Sequence, residues 1–373
     1  MINEARMLEE FFELVRMDCP SGQEKDVAEV LRRKLEALGC TVSEDQAQQH
    51  FGGNCGNLIA TLPATKTNAP TVLFTSHMDC VSPCLSIQPR LENGRITSAG
   101  DTVLGGDDKA GITAILEGLR TLKESGKPHG AVQIVFTVHE EGGLKGSKHM
   151  DAALLKADFG YALDADGAPG EIVTMAPGQD SITAIVHGKK AHAGLAPEEG
   201  INAIQAAGKA LAALKIGRID EETTTNVGLI QGGTATNIVP DRVEIHAEAR
   251  SRNLAKLEAQ SRQMKETLEC ICQEYGASAE VTVQRQYDSF SLAPDSPAIS
   301  LAVAAAHQIG LPVHITGTGG GSDANHFNRK GVPTAVLGVG MKKVHTTEEY
   351  IDEKDLYDSA RLVLAILEQA ALS

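Results

Sequence analysis

The chain has 373 residues, with 34 Lys and Arg against 49 Asp and Glu, for a formal net charge of −15. That balance argues against nucleic acid as a partner, because a nucleic-acid footprint is basic. It argues equally against docking on anionic lipid. No apolar run approaches the ~18 residues that span a bilayer, and 42% hydrophobic with 22% charged residues describes an ordinary globular protein.

Residues 1–16 read as an acidic amphipathic helix, with Met7, Leu8, Phe11, Phe12, Leu14 and Val15 near one side. The start lacks the basic residues and apolar centre of a signal peptide, so a cytoplasmic location is expected. Helical periodicity continues over 22–38. Short apolar runs at 57–62, 71–76, 131–138 and 159–163 predict strands. Between the second and third lies a helix after Asp108, with Ile112, Ile115, Leu116, Leu119 and Leu122 on one stripe. Near-continuous apolar strands separated by helices predict an α/β fold, a mostly parallel sheet covered by helices on both faces.

The middle has a different order. From about Asp180 it runs strand, helix (201–215), two strands, helix (254–275), strand. This is the ferredoxin-like β-α-β-β-α-β pattern, whose first and last strands are antiparallel neighbours, so such a unit can be inserted into another domain. After Tyr287 come a helix (298–309), a glycine-rich loop (317–321), a strand (334–339) and a last helix (355–371). The expected organisation is a discontinuous α/β domain, 1–177 and 288–373, with an α+β insertion at 178–287. The seven cysteines are odd in number and scattered, and are expected to be reduced thiols.

Chemistry-bearing residues follow the strands. TVLFTS runs into His77-Met78-Asp79, VQIVFTV into His139-Glu140-Glu141, and FGYAL into Asp164. His345 comes shortly after the 334–339 strand, and Gly105-Gly106-Asp107-Asp108-Lys109 opens a helix. Ligands of open parallel sheets bind beyond the carboxyl ends of the strands, so these groups can converge. Imidazole and carboxylate are both good zinc ligands. His77 and Asp79 are two apart, and extended backbone points both to one side, so Asp79 can orient the imidazole. Two metals ~3.5–4 Å apart need a bridging carboxylate, and Asp107 is well placed. Asp79, Asp107, Glu140, Glu141 and Asp164 bring five negative charges that two divalent ions would nearly balance.

Taken singly, each residue has a plainer explanation. A strand-end Asp or His is commonly a turn or cap residue, and either Asp107 or Asp108 could cap the helix. The glycine run at 317–321 lacks the Lys of a phosphate loop. Gly320-Gly321-Ser322-Asp323-Ala324 lacks the last Gly of a serine-hydrolase elbow. His139-Glu140 lacks the second His of a HExxH helix, having Gly143 there.

The set SHMD, GGDDKAG, HEEGG, YALD and VHTTEEY, in this order and with CPSGQE at 19–24, resembles the co-catalytic dizinc exopeptidases and deacylases. That group holds aminopeptidases, carboxypeptidases and aminoacylases, and the likeness is strongest to its tripeptidase branch, peptidase T and its relatives. It covers essentially the whole chain. It implies two zinc ions per subunit, with Co2+ or Mn2+ as substitutes. His77 and Asp164 would hold one ion, Glu141 and His345 the other, and Asp107 would bridge. Asp108 and Asp166 stand beside Asp107 and Asp164 as competitors. Glu140 would be the general base and Asp79 would brace His77.

The resemblance also implies that the insertion is a lid and dimerisation domain. His192, in AHAG, would reach a partner subunit's site and stabilise the oxyanion. Asn237 and Arg250 would bind substrate, Arg250 as a carboxylate clamp. The loop at Gly320 would let backbone approach the substrate. The expectation is therefore a homodimeric aminotripeptidase acting on short peptides. A carboxypeptidase or N-acyl amino-acid deacylase on the same scaffold is one alternative, and a non-catalytic peptide-binding relative another.

Overall fold

The computed structural model describes residues 1–372. They form two compact units. The first comprises Met1–Met175, Ser291–Gly317 and the chain from Ser322 onward; the second comprises Ala176–Phe290 and Thr318–Gly321.

The large sheet of the first unit runs in the order Thr41–Glu44, Leu58–Leu62, Val132–Thr137, Val72–His77, Phe159–Ala165, Thr334–Gly338, Glu171–Ala176. Its four central strands, 132–137, 72–77, 159–165 and 334–338, are parallel to one another. Antiparallel neighbours flank them. Every residue of Val72–His77 and of Val132–Thr137 is buried, which is why these segments read as continuous apolar runs rather than alternating ones. The helix Gly106–Ser125 is buried along nearly its whole length and packs on Glu353–Ala370 and on the strand Val72–His77. The core is mainly aliphatic, and its one buried tyrosine hydroxyl, on Tyr161, donates to the Ala298 carbonyl at 2.8 Å. Because the central strands are parallel, their carboxyl ends share one edge of the sheet, where His77 and Asp164 stand and from which the 139–141 loop departs.

A second, four-stranded sheet in this unit has no counterpart in the sequence expectation. Its order is Met341–Lys342, Tyr350–Asp352, Arg95–Ser98, Pro89–Glu92. Strands of two to four residues are too short to carry a readable periodicity. The sheet nevertheless matters, because pairing of 341–342 with 350–352 closes residues 343–349, and with them His345, into a loop.

The second unit is an antiparallel sheet in the order Gly217–Arg218, Thr223–Gly232, Arg242–Ser251, Gly178–His187, Ser278–Tyr287. Burial alternates strictly along Gly178–His187, as a half-buried strand requires. The helices Ala203–Ala213 and Leu254–Glu274 share one core with Ile182, Ala184, Val186, Val243 and Ile245. Residues 318–321 group with this unit rather than with the rest of 288–373. A Cβ on Gly321 would stand 2.4 Å from the Tyr287 ring, so only glycine permits that approach. Among the described residues no helix is long and apolar enough to cross a membrane, and all seven cysteines are free.

Candidate metal centre

The centre is built around Asp107. One of its carboxylate oxygens, Oδ1, lies 3.0 Å from His77 Nε2, and the other, Oδ2, lies 3.2 Å from His345 Nε2. Asp164 Oδ1 is 3.8 Å from His77 Nε2, and Glu141 Oε1 is 3.0 Å from His345 Nε2. Two triads therefore share one residue: His77, Asp107 and Asp164 on one side, Asp107, Glu141 and His345 on the other. Glu140, also buried, lies within the same cluster beside His77 and Glu141.

The contacts of Asp108 explain why Asp107 rather than Asp108 faces the cluster. Asp108 accepts from Ser76 Oγ and, at 3.2 Å, from Gly111 N, so it serves the start of the helix. Gly111 makes this possible, since a Cβ there would stand 2.6 Å from Asp108 Oδ1 and 2.5 Å from the Leu163 carbonyl. Asp166 is outside both triads; its carbonyl accepts from Lys342 Nζ.

Asp79 is fully buried and fixes the loop of the two glutamates. Its Oδ1 accepts from Glu140 N at 3.0 Å, and its Oδ2 accepts from Glu141 N at 3.2 Å and Ser21 Oγ at 2.6 Å. Its carbonyl faces His77 Nδ1 at 3.1 Å. A carbonyl can only accept, so in neutral His77 the proton sits on Nδ1 and Nε2 turns its lone pair to the acids.

Burial opposes charge on His77, yet hydrogen bonds to Asp107 and Asp79 hold its pKa well above the ordinary value. His345 is pushed up to about 10, chiefly by Asp107 and then Glu141. Burial pushes Asp107 up, but the two imidazoles outweigh it and hold the carboxyl well below its usual range. Burial and the neighbouring Asp164 drive Glu140 well above the carboxylate range, and burial with the nearby Asp108 and Asp107 does the same to Asp164.

These residues fit a pair of divalent cations. A neutral imidazole lone pair and a carboxylate oxygen 3.0 Å apart are two acceptors facing each other, and only a proton or a cation between them relieves this. Glu141 Oε1 is buried with no hydrogen-bond donor despite its distance from His345, the arrangement of two ligands that share an ion. The donor set of two imidazoles and three carboxylates suits divalent transition metals, zinc among them.

The other candidate residues belong to the second unit. His192 is exposed, and its Nδ1 accepts from Gly194 N at 3.1 Å and Leu195 N at 3.2 Å, leaving Nε2 outward. Asn237 is its neighbour across a short bridge, since the Asn237 carbonyl accepts from Ala193 N and His192 pairs with Ile238. Arg250 is half-buried and engaged in a bidentate pair with Glu248 at 2.9 and 3.0 Å. Gly320 N donates to Thr318 Oγ1 at 3.1 Å.

Three buried acids close to these loops escaped the sequence reading. Glu24 accepts from Gly22 N at 2.7 Å and His139 N at 3.0 Å, and burial with the charge of Asp79 pushes its carboxyl up to about 7. Glu349, also about 7 through burial, accepts three N–H groups of the Asp107 loop. Asp323 accepts from Thr137 Oγ1 and Ser147 Oγ, and its carboxyl is raised by burial. Glu24 and Glu349 sit inside the CPSGQE and VHTTEEY motifs, but nothing in their spacing marks them as buried.

The sequence profile of peptidase family M20/M25/M40 matches residues 73–369. This chain belongs to peptidase family M20. Aminopeptidase PepT of Bacillus cereus is 47% identical, with each chain covered over 99% and a TM-score of 0.92. A tripeptidase of Staphylococcus aureus is 42% identical over the full length of both chains, with a TM-score of 0.96. The protein YqjE of Bacillus subtilis, itself uncharacterized, is 45% identical over the full length of both chains. The M20 chain is thus a hydrolase of the peptidase type, and its fold is that of the M20 peptidases.

Proposed function

We propose that this M20 peptidase is a dinuclear zinc aminotripeptidase, releasing the N-terminal residue of short peptides. The observation that carries this reading is the Asp107 carboxylate, which offers one oxygen to the His77 side and one to the His345 side of a buried acidic cluster. His77, Asp107 and Asp164 would hold one ion, and Asp107, Glu141 and His345 the other. Bound there, the ions would supply Lewis acidity to the scissile carbonyl and acidify a water. Glu140, held beside His77 and Glu141, takes the proton of the attacking water and returns it to the leaving amine. Asp79 keeps Nδ1 of His77 protonated and holds Glu140 in place through its backbone N–H. The preference for tripeptides draws support from the Staphylococcus aureus relative.

The same reading makes the second unit a lid and a dimerisation surface for a second copy of the chain. The strand Thr223–Gly232 pairs along its length with Arg242–Ser251, but on its other side only Thr224 and Thr225 are paired among the described residues. Leu229 and Ile230, 47% and 49% exposed, lie on that open stretch. His192 of one copy then serves the oxyanion in the other, and Arg250 exchanges Glu248 for the peptide carboxylate. Seven free cysteines suit a reducing, cytoplasmic compartment.

The test is incubation of the metal-loaded protein with a tripeptide, its N-acetylated form and its C-terminal amide. An aminopeptidase cleaves the first and third and leaves the acetylated peptide intact. Release of acetate marks a deacylase. Loss of the C-terminal residue marks a carboxypeptidase, and cleavage of none overturns the enzymatic reading of this chain.

A further inference from the structure

We propose that Glu349 is a positioning residue for the bridging carboxylate: by accepting the N–H groups of Leu104, Gly105 and Asp107 it fixes the loop that sets Asp107 between His77 and His345. The proposal rests on the reading of the cluster as a dinuclear metal centre. Glu349 is 2% exposed. Its Oε2 accepts from Leu104 N and Gly105 N, both at 2.8 Å, and its Oε1 accepts from Asp107 N at 2.9 Å. One side chain thus takes up three backbone donors within four residues, the last of them on the ligand itself.

The loop is shaped for this grip. Gly105 has φ +71, the left-handed conformation glycine adopts freely. A Cβ on Gly106 would stand 3.0 Å from Glu349 Oε1, so a larger residue would press on the carboxylate. On its own side, Glu349 N donates to the Thr346 carbonyl at 3.1 Å, one residue after His345. The 343–349 loop is closed by the pairing of 341–342 with 350–352. Glu349 therefore ties two loops, 104–107 and 343–349, that bring Asp107 and His345 to the same ion. The adjacent Glu348 has no such role: it is exposed and pairs with Lys343 at 2.5 Å.

The distinction between Glu and Gln is sharp here. Both oxygens of Glu349 are in use, so Glu349→Gln keeps the volume but turns an amide NH2 toward at least one backbone N–H, donor against donor. Outer groups that orient metal ligands typically cost ~10–100-fold in metal affinity when changed.

The experiment uses the full chain as Glu349→Gln and Glu349→Ala, with Glu348→Gln as the neighbouring control. In metal-free protein, amide hydrogen exchange at Leu104, Gly105 and Asp107 should quicken in Glu349→Gln and stay unchanged in Glu348→Gln. Competition with a chelating dye should show Zn2+ affinity lowered ~10–100-fold. For tripeptide hydrolysis kcat should fall while KM stays within about twofold, because the substrate's binding groups are untouched. Should Glu349→Ala fail to fold, the isosteric Gln variant carries the test. Wild-type amide exchange and wild-type Zn2+ affinity in folded Glu349→Gln would overturn the proposal. Faster exchange and weaker Zn2+ binding in Glu349→Gln, with a wild-type chain that cleaves no tripeptide, would uphold the positioning role and overturn the aminotripeptidase reading instead.

Discussion

The two units hold their chemistry in opposite ways. In the first, His77, Asp79, Asp107 and Glu140 are buried and Glu141 and Asp164 partly so, and carboxylates on other segments grip the backbone of the loops that carry them. Asp79 holds the N–H groups of Glu140 and Glu141, Glu24 that of His139, and Glu349 that of Asp107. In the second, His192 and Asn237 are exposed on a loop, and Arg250 is occupied by its neighbour Glu248. Fixing each group in advance lets a dense set of acids keep its geometry, and the buried clamps do this. No buried clamp of that kind holds His192 or Asn237, which are restrained by local turns, and Arg250 is held by Glu248 on its own strand.

The largest effect expected from breaking the first arrangement comes from Asp107→Ala, which removes the shared ligand of both triads. Elemental analysis should find fewer than two ions per chain and activity should fall to background; full activity with both ions retained would remove Asp107 from the centre. Next come the adjacent glutamates, which have different roles. Glu140→Gln should keep the metal content and lose ~10²–10⁴-fold in kcat, whereas Glu141→Gln should lose metal; the reverse result would exchange their assignments.

The second unit is probed by mixing His192→Ala with Glu140→Ala after dissociation and reassociation. Random pairing makes about half the dimers mixed, each with one intact site, so roughly a quarter of wild-type activity should return. No recovery, with mixed dimers confirmed by mass, would place His192 within its own chain's site or outside the mechanism.

The smallest effect is on stability. The Glu24 carboxyl is raised from 4.5 to about 7 in the folded chain. Between those values the unfolded chain has released the proton and the folded chain retains it, so stability from this group falls as pH rises from about 4.5 to 7. The loss is at most roughly 3 kcal/mol. Glu24→Gln keeps an oxygen for the N–H groups of Gly22 and His139 and should flatten that slope in denaturant titrations at pH 5 and 8. An unchanged slope would show that Glu24 is ionised throughout.

Much of the fold was legible in the sequence because burial leaves a period. The continuous apolar runs at 72–77 and 132–137, the stripe from Ile112 to Leu122 and the β-α-β-β-α-β frame of the second unit, to which the structure adds the short strand Gly217–Arg218, are consequences of which faces are covered. The candidate ligands were legible for a related reason, since parallel strands end on one edge and His77, Glu140, Glu141 and Asp164 lie at or just past strand ends. Tertiary structure alone decided the rest. Adjacent Asp107 and Asp108 are equivalent in sequence, and their roles part only because Ser76 and Gly111 claim Asp108. Glu348 and Glu349 are likewise indistinguishable until the chain brings the amides of Leu104–Asp107 against one of them. The short strands at 89–92, 95–98, 341–342 and 350–352 have no period of their own, and only their mutual pairing creates the loop that holds His345. Periodicity records which side of an element is buried; which charge finds which partner across 240 residues depends on contacts that no local pattern encodes.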